Sequence, residues 1–254
     1  MGFLNRLRGE EPGMLRQIAH LLEGKGAYGE YLTDYALDHG DIPGRYTTFN
    51  NVYVPTRGRT TEIDVLMLHE RGILVIESKN YSGWIFGSVD QKQWTQVFKG
   101  GVKEHFYSPV KQNRSHINAL RNHLGLDESA FVSLIVFSER CKLKKVPDNT
   151  PELRILQRQH LVREVNRILG VRERMFSDGQ MDELEARLAE LLKTDEKAGK
   201  HIETVKAIKN GELCPWCGAE LVRRESEHGV FLGCSTFPKC RYTVDIKEPV
   251  APYE

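Results

Sequence analysis

The sequence of 254 residues has few features of a membrane protein and no overall excess of one charge. No stretch approaches the roughly 18 uncharged apolar residues that a membrane span needs, so no membrane association is expected. The formal net charge is +1, and any surface that binds phosphate must therefore be local. Residues 1–8 contain no apolar core long enough for a signal peptide, and the expected compartment is the cytoplasm.

Cysteine is scarce: the chain has five. Four of them lie in two close pairs near the C-terminus. Cys214 and Cys217 form the first pair, and Cys234 and Cys240 form the second. Four thiolates at this spacing are typical of a structural Zn²⁺ site in a zinc ribbon. Disulfides are the alternative, which a reducing cytoplasm disfavours. The fifth cysteine, Cys141, belongs to no motif and is assigned no role.

The remaining composition is that of a globular chain, with 40% hydrophobic and 28% charged residues. Its clearest structural signal is a pair of apolar runs rich in branched side chains, residues 61–68 and 73–80, joined by a turn that contains Gly72. Such a pattern predicts an antiparallel hairpin of buried strands. With the turn at residues 69–72, Leu68 pairs with Ile73.

The same register places Asp64 opposite Glu77, and alternation along the second strand adds Lys79 to their face. Burying two carboxylates in an apolar hairpin is costly unless a cation or a shared proton compensates. Carboxylates bind hard cations such as Mg²⁺, which polarise phosphate and lower the pKa of a bound water, and a neighbouring lysine stabilises the developing charge. The cluster predicts metal-assisted phosphodiester hydrolysis. The alternative is an exposed strand acid beside an ordinary surface ion pair.

These residues resemble the D…ExK core of the PD-(D/E)xK nuclease superfamily. Four segments in chain order resemble, more narrowly, the nuclease-related domain called NERD: Gly26-Ala27-Tyr28-Gly29-Glu30, Thr61-Glu62-Ile63-Asp64, Glu77-Ser78-Lys79-Asn80 and Ser108-Pro109-Val110-Lys111-Gln112. The resemblance covers roughly residues 20–135. It implies an α/β fold with a restriction-endonuclease-like mixed sheet flanked by helices, and a catalytic Mg²⁺ or Mn²⁺ bound by Asp64 and Glu77.

The resemblance also implies roles for residues that local patterns explain in other ways. Glu30 falls in the first turns of a predicted helix, where the helix dipole alone favours an acid, but the resemblance places it in the active site. Lys79 would position the nucleophile. Gln112 lies off the apolar line of the helix that starts at Ser108 and Pro109, and it would orient Lys79 or the substrate. The Ser78 carbonyl is a candidate further metal ligand.

Further strands are predicted from alternating and continuous apolar runs. Residues 84–89 and 93–98 are expected to join the hairpin in one mixed sheet. Their tryptophans, Trp84 and Trp94, are assigned to the core, with base stacking as the alternative. The run 131–138 predicts a central strand covered on both faces. The basic segment that follows it, with Arg140, Lys142, Lys144 and Lys145, is predicted to be a loop that is either solvated or binds the phosphates of a nucleic acid.

The C-terminal cysteines lie in a pattern, over about residues 212–245, that resembles the C4 zinc finger of type I topoisomerases. The resemblance implies binding of single-stranded DNA, with Trp216 as a further aromatic face beside the main candidates: Arg223, Arg224, Phe231, Phe237, Lys239, Arg241 and Tyr242. Nearby acids roughly cancel the basic residues, so a protein-docking or purely structural ribbon stays open. Nothing in the chain resembles the catalytic body of a topoisomerase.

The sequence therefore predicts an N-terminal helical segment (1–24), a nuclease-like domain (25–138), a helical extension and linker (139–200) and a zinc-finger module (201–254). The expected function is that of a Mg²⁺-dependent deoxyribonuclease acting on single-stranded or branched DNA, in company with DNA-repair proteins. A DNA-binding scaffold that does not cut is the main alternative. An RNA-directed enzyme would use the same residues.

Overall fold

The computed structural model of the protein describes residues 25–56, 58–192, 203–204, 206–208, 210–215, 217–227 and 229–245. The predicted N-terminal segment (1–24) and Trp216 lie outside these residues. The described residues fall into two compact units, one built from residues 25–54 and 62–192 and the other from the described residues of 55–61 and 203–245. No helix in the described part of the chain is long and apolar enough to cross a bilayer.

The helices and strands follow one another in the order α1 (Lys25–Asp38), β1 (Tyr46–Thr56), β2 (Arg59–His69), β3 (Gly72–Lys79), β4 (Gly83–Phe86), β5 (Gln93–Val97), β6 (Lys103–Tyr107), α2 (Pro109–Leu124), β7 (Phe131–Phe137), β8 (Cys141–Lys145), β9 (Leu153–Gln157), α3 (Leu161–Gly170), α4 (Asp178–Ala189), β10 (Leu221–Ser226), β11 (Gly229–Cys234) and β12 (Thr243–Asp245). The larger unit is an α/β fold, as predicted.

A five-stranded mixed sheet, in the order β1-β2-β3-β7-β9, forms the centre of the larger unit. Strand β2 is antiparallel to β3, whereas β3, β7 and β9 run parallel. Every residue of β7 is buried, which confirms the prediction of a central strand covered on both faces. Crossover connections between parallel strands place helices on both faces of the sheet, so such strands are buried on both sides.

Alternate residues of β3 contribute to two hydrophobic cores on opposite faces of the sheet. Ile73 and Val75 pack in the core that includes side chains of α2 and α4. Leu74 and Ile76 pack in the core that includes side chains of α1 and α3. The period-two alternation of the strand therefore fixes which helices lie on each side.

The prediction that the tryptophan-bearing strands join the central hairpin in one sheet is wrong. They form a separate four-stranded sheet, in the order β6-β5-β4-β8, which we call the outer sheet. The basic segment predicted as a loop is strand β8 of this sheet, parallel to β4. A local alternating pattern predicts strands but carries no information about the sheet to which they belong.

The helix that carries Gln112 begins and ends where the sequence signals predict. The side chain of Ser108 caps the N-terminus of α2 by accepting a hydrogen bond from the Lys111 amide, with Pro109 in the first turn. Gly125 ends the helix in the left-handed conformation (φ 70°). These signals fix the phase of α2, and with it the direction in which Gln112 points.

The smaller unit contains the antiparallel sheet β10-β11-β12. The buried side chains among its described residues 203–245 are those of Cys214 and Cys234. This unit therefore has no apolar core comparable with those of the larger one.

Candidate active site and zinc centre

The central hairpin has the register that the sequence predicts, because Leu68 pairs with Ile73 and the ladder extends to Val65 and Ile76. One further step places Asp64 opposite Glu77. The ladder between β2 and β3 ends at this step, whereas β3 continues beside β7 as far as Lys79. The Ser78 amide donates instead to the Asp64 carboxylate, at 2.9 Å. The acids therefore lie where the two strands diverge.

Glu77 is 1% exposed and is held by two cationic or donor groups. Lys79 Nζ donates to its Oε1 at 2.5 Å. His116 Nε2 lies 3.2 Å from its Oε2, and since an ionised carboxylate only accepts, this nitrogen carries the proton. Lys79 Nζ also donates to Gln112 Oε1 at 3.3 Å. Three of the five predicted site residues thus form one hydrogen-bonded chain, and Asp64 adjoins it.

Glu30 reaches the same region from α1 and belongs to a second pair of acids. The Asn51 amide nitrogen lies 3.4 Å from Glu30 Oε2 and 3.5 Å from Glu62 Oε1, donating to both. The Tyr53 hydroxyl donates to Glu62 at 2.9 Å. Asn51 has φ 51°, a conformation that asparagine tolerates better than most residues.

The glycine before Glu30 is required by the close packing of α1 against the end of β3. A Cβ on Gly29 would lie 2.7 Å from the Asn80 Cβ. The Thr33 hydroxyl bonds the Gly29 carbonyl at 2.9 Å and lies within hydrogen-bonding distance of the Ser78 hydroxyl, at 3.0 Å. This packing explains why glycine precedes Glu30 in the second turn of the helix, and it positions Glu30 beside the strand that carries Glu77.

The pKa values of the acids are shifted in different directions. Burial, followed by repulsion from Glu77 and Glu30, raises the pKa of Asp64 well above its usual value. Burial and repulsion from Glu62 likewise raise the pKa of Glu30. Burial alone would raise the pKa of Glu77, but the His116 hydrogen bond and the Lys79 charge outweigh it and lower the pKa. The site therefore has more negative charge than its own side chains neutralise.

A divalent cation suits this arrangement. Mg²⁺ takes oxygen ligands and is typically held by one or two carboxylates together with water and substrate phosphates. Asp64 and Glu77 are two such carboxylates, and each oxygen of Glu77 has a second lone pair beside the one that its hydrogen bond uses. A bound cation would offset the repulsion from Glu77 and Glu30 that contributes to the raised pKa of Asp64.

Sequence reasoning missed His116 and Asn51. His116 lies one turn after Gln112 on α2, so the i, i+4 spacing places both on one side of the helix, but it does not show that His116 contacts Glu77. The contact of Asn51 with the two acids has no comparable signal, because it depends on how β1 packs beside α1.

The four clustered cysteines form the second site. The Sγ atoms of Cys214 and Cys240 lie 3.7 Å apart, and those of Cys217 and Cys234 lie 3.3 Å apart. Four ligand atoms all within 4.8 Å of one another match a tetrahedron with Zn–S bonds of about 2.3 Å, whose edges are about 3.8 Å. A disulfide would need about 2.05 Å, and all five cysteines are free.

The thiols fit zinc chemically as well as geometrically. Burial alone would raise the pKa of Cys217, but the Ala219 amide and hydrogen bonds with neighbouring side chains lower it to about 6, and the thiolate is the form that binds metal. Among the residues that the structure describes, these four cysteines are the side chains found close enough together, as a group of three or more metal-ligating residues, to bind one ion. The chain therefore has a structural Zn²⁺ site.

The predicted DNA-contacting residues of the ribbon divide into two sets. Arg224, Phe231, Phe237 and Tyr242 line a cavity of about 180 Å³, and the Arg224 guanidinium lies 5.8 Å from the centre of the Phe237 ring. The others, Arg223, Lys239 and Arg241, do not line it. Phe237 is 59% exposed, so one aromatic face of the cavity is open to solvent.

The fifth cysteine, Cys141, should resist alkylation when the four zinc ligands do not. Burial raises the pKa of Cys141 to about 11, so about one thiol in a thousand is ionised at pH 8. With zinc bound, iodoacetamide should modify none of the cysteines. After chelation, intact-mass measurement should show four modifications, and a fifth adduct before denaturant is added would contradict the buried position of Cys141.

Comparison with known proteins gives a family match for each of two segments of the chain. Residues 25–138 match the family model of the nuclease-related domain, NERD. Residues 211–249 match the model of the topoisomerase DNA binding C4 zinc finger.

The chain is similar to an uncharacterized protein of Bacillus anthracis, with 37% identity over 139 residues, 54% of this chain and 64% of that protein. It is similar to the uncharacterized protein YrdD of Escherichia coli K12, with 55% identity over 40 residues, 16% of this chain and 22% of that protein. DNA topoisomerase 1 of Methanocaldococcus jannaschii is 59% identical over 47 residues, 18% of this chain and 6% of that protein.

The chain thus spans less than two thirds of the length of each of these relatives. No solved structure matches. The chain contains a nuclease-related domain at residues 25–138 and a topoisomerase-type C4 zinc finger at residues 211–249.

Proposed function

We propose that this protein hydrolyses DNA phosphodiester bonds in a reaction that depends on Mg²⁺ or Mn²⁺, and that its zinc finger binds single-stranded DNA. The observation that carries the proposal is the convergence of Asp64, Glu77, Lys79 and Gln112 where β2 and β3 diverge. An acid-rich, partly buried cluster that retains a lysine is suited to a cation and a phosphate together.

Each side chain has a distinct part in this proposal. Asp64 and Glu77 would hold the metal, which when bound supplies a polarised phosphate and a water of lowered pKa. Lys79 places its positive charge where negative charge develops on the phosphate as the water oxygen bonds to phosphorus and the P–O ester bond breaks. Gln112 holds the Lys79 ammonium through its side-chain oxygen. Glu30, with its raised pKa, would orient the attacking water.

His116 acts through Glu77 rather than on substrate. Its hydrogen bond to Oε2 fixes the rotation of the buried carboxylate and keeps it ionised. Partners of this kind, bonded to a ligating carboxylate, orient metal ligands in other proteins. The Ser78 carbonyl stays a candidate additional ligand.

The second candidate function is a DNA-binding scaffold that does not cut. The observation that favours it is that both oxygens of Glu77 are engaged by this chain's own Lys79 and His116. An arrangement in which Lys79 permanently neutralises Glu77 would weaken the attraction for a metal. Such a protein would still hold DNA, through the ribbon, for other DNA-repair proteins.

The test is cleavage of labelled single-stranded, duplex and branched DNA, with RNA as a further substrate. Wild type is compared with Glu77→Gln, which removes the negative charge but keeps one acceptor oxygen at this position, and with Lys79→Met. Both variants should lose at least about 100-fold in rate, since each removes an interaction worth about 3 kcal/mol or more in the transition state. Glu183→Gln, an exposed acid on α4, is the matched control.

The scaffold and the nuclease give different results in this assay. Cleavage that requires Mg²⁺ or Mn²⁺ and is lost in both variants but not in the control establishes the enzyme. DNA binding without cleavage of any substrate, unchanged by either substitution, favours the scaffold. Preferential cleavage of RNA would reassign the substrate.

A further inference from the structure

We infer that the outer sheet of the nuclease-related domain is a binding surface for single-stranded DNA, separate from the zinc finger. This inference deepens the proposed function and rests on it, because it assigns a path for the substrate strand. The surface, which we call the platform, comprises Trp84, Lys103, Tyr107, Lys142 and Lys144.

Strand pairing and alternation place Trp84, Lys103, Tyr107 and Lys142 on one face, and Lys144 joins them through its contact with the Trp84 ring. Trp84 pairs with Lys142 on one side and with Val97 on the other, and Val97 in turn pairs with Lys103. Paired residues in a sheet project to the same side. Ile85, the next residue along β4, projects to the other face of the sheet and is fully buried. The opposite face of the outer sheet therefore packs in the protein, and the platform faces solvent.

The two tryptophans of this sheet differ in exposure. Trp94 is fully buried and packs in the core of the outer sheet. Trp84 is 49% exposed, and so is Tyr107. An indole left half in solvent presents the flat apolar surface on which an unpaired base stacks, and every base has a face that suits it.

The charge of the platform complements a phosphate backbone. The four strands carry lysines at 103, 142, 144 and 145 and a single acid, Glu104. Glu104 pairs with the buried Gln96, which places it on the face opposite the platform. The Lys144 ammonium lies 5.2 Å from the centre of the Trp84 ring. An aromatic face beside lysines is the combination that single-strand binding surfaces use.

The strands of the platform follow closely in the chain after the strands that end at the active site. Strand β3 ends at Lys79 and the chain enters β4 at Gly83, while β7 leads in the same way into β8. The Ser138 amide bonds the Lys79 carbonyl at 2.9 Å, and Arg140 bonds the carbonyl and the side chain of Asn80. Trp84 follows Lys79 by five positions, so their Cα atoms are at most about 18 Å apart. The platform is therefore close along the chain to the strand end that carries Glu77 and Lys79.

The test measures binding of the full-length, zinc-loaded chain to a labelled oligothymidylate and to a duplex, by fluorescence anisotropy without added Mg²⁺. Trp84→Ala should weaken binding to the single strand about tenfold, since stacking on an aromatic is worth about that much. Trp84→Phe keeps an aromatic face and should restore most of the affinity. Binding to duplex should not change, because its bases are already stacked.

The lysines are tested through the salt dependence. Lys142→Ala with Lys144→Ala should lower the slope of log affinity against log salt by about 1.4, or about 0.7 for each lost phosphate contact. Arg163→Ala with Arg167→Ala, on the exposed side of α3, removes the same charge and should leave the slope unchanged. Equal melting temperatures of all variants would show that folding is intact.

Cross-linking locates the contact independently of affinity. Photoactivation of an oligonucleotide that contains 5-iodouracil should attach it to the peptide carrying Trp84. Wild-type affinity and slope in the platform variants, with cross-links confined to the zinc finger, would overturn the inference while leaving the proposed nuclease intact. A wild-type chain that binds no nucleic acid would overturn both.

Discussion

Asp64→Asn is expected to abolish DNA cleavage and, at the same time, to stabilise the nuclease-related domain. The amide keeps an oxygen that accepts the Ser78 hydrogen bond but removes the charge that would hold the metal. Losing several kcal/mol of transition-state stabilisation corresponds to a fall of at least about 1,000-fold in rate. Removing the repulsion with Glu77 and Glu30 should raise the free energy of unfolding by about 1 kcal/mol.

The sign of the stability effect follows from the direction of the pKa shift. Burial raises the pKa of Asp64 in the folded state above its unfolded value near 3.8. The folded state thus binds this proton more tightly, and the contribution of Asp64 is fully present below the unfolded pKa and is lost as pH rises through the folded pKa. The Asp64→Asn variant has no proton to lose at this position, so its stability would lack this dependence on pH.

Thermal unfolding of wild type and Asp64→Asn at a series of pH values, from about 4 to 8, tests this prediction. The difference in melting temperature should grow with pH and reach about 2–4 °C at neutral pH, the shift that about 1 kcal/mol gives in a chain of this size. Mg²⁺ should raise the melting temperature of wild type by mass action but not that of the variant.

A second acid provides a control of opposite sign. Burial alone would raise the pKa of Glu139, but its hydrogen bond with Arg158 outweighs burial and lowers it, and Arg158 Nη2 lies 2.7 Å from Glu139 Oε2. Glu139→Gln should therefore lower the melting temperature, because the largely buried Arg158 loses its charged partner. An Asp64→Asn variant that is less stable than wild type at neutral pH would contradict the electrostatic description of the site.

The core of the site was predictable because its geometry is local. Once Gly72 closes the turn, the pairing of Leu68 with Ile73 fixes every later pair, so Asp64 and Glu77 follow from counting. Lys79 follows from alternation along the same strand. These three residues require no knowledge of how distant parts of the chain pack.

The parts that sequence reasoning missed depend on contacts between distant segments. His116 meets Glu77 across 39 residues, and Asn51 meets Glu30 across 21; no local period specifies either contact. The same is true of the outer sheet. Alternation predicts that Trp84 and Trp94 lie in strands, but β4 pairs with β8, which comes more than 50 residues after it, at Cys141–Lys145. No local pattern specifies this pairing, or that Trp84 is exposed and Trp94 is buried.

Removal of zinc is expected to unfold the C4 zinc finger while leaving the nuclease-related domain folded. The buried side chains among the described residues of 203–245 are Cys214 and Cys234, so burial of apolar surface contributes little here. Structural Zn²⁺ contributes about 10–16 kcal/mol of apparent binding free energy in small zinc modules. The larger unit has three hydrophobic cores, all built from its own side chains.

The measurement is an amide NMR spectrum of the full chain before and after chelation. Signals of β10, β11 and β12 should collapse to unfolded positions, whereas those of β3 and β7 should persist. Cys240→Ser should give the same pattern without a chelator, and binding of single-stranded DNA should fall at least about tenfold as the cavity formed by Arg224, Phe231, Phe237 and Tyr242 is lost. Re-addition of Zn²⁺ should restore the chelated wild type but not the variant. Dispersed ribbon signals in the absence of zinc would mean that hydrogen bonds between the three strands hold the finger together, and that the four thiols do not control its folding.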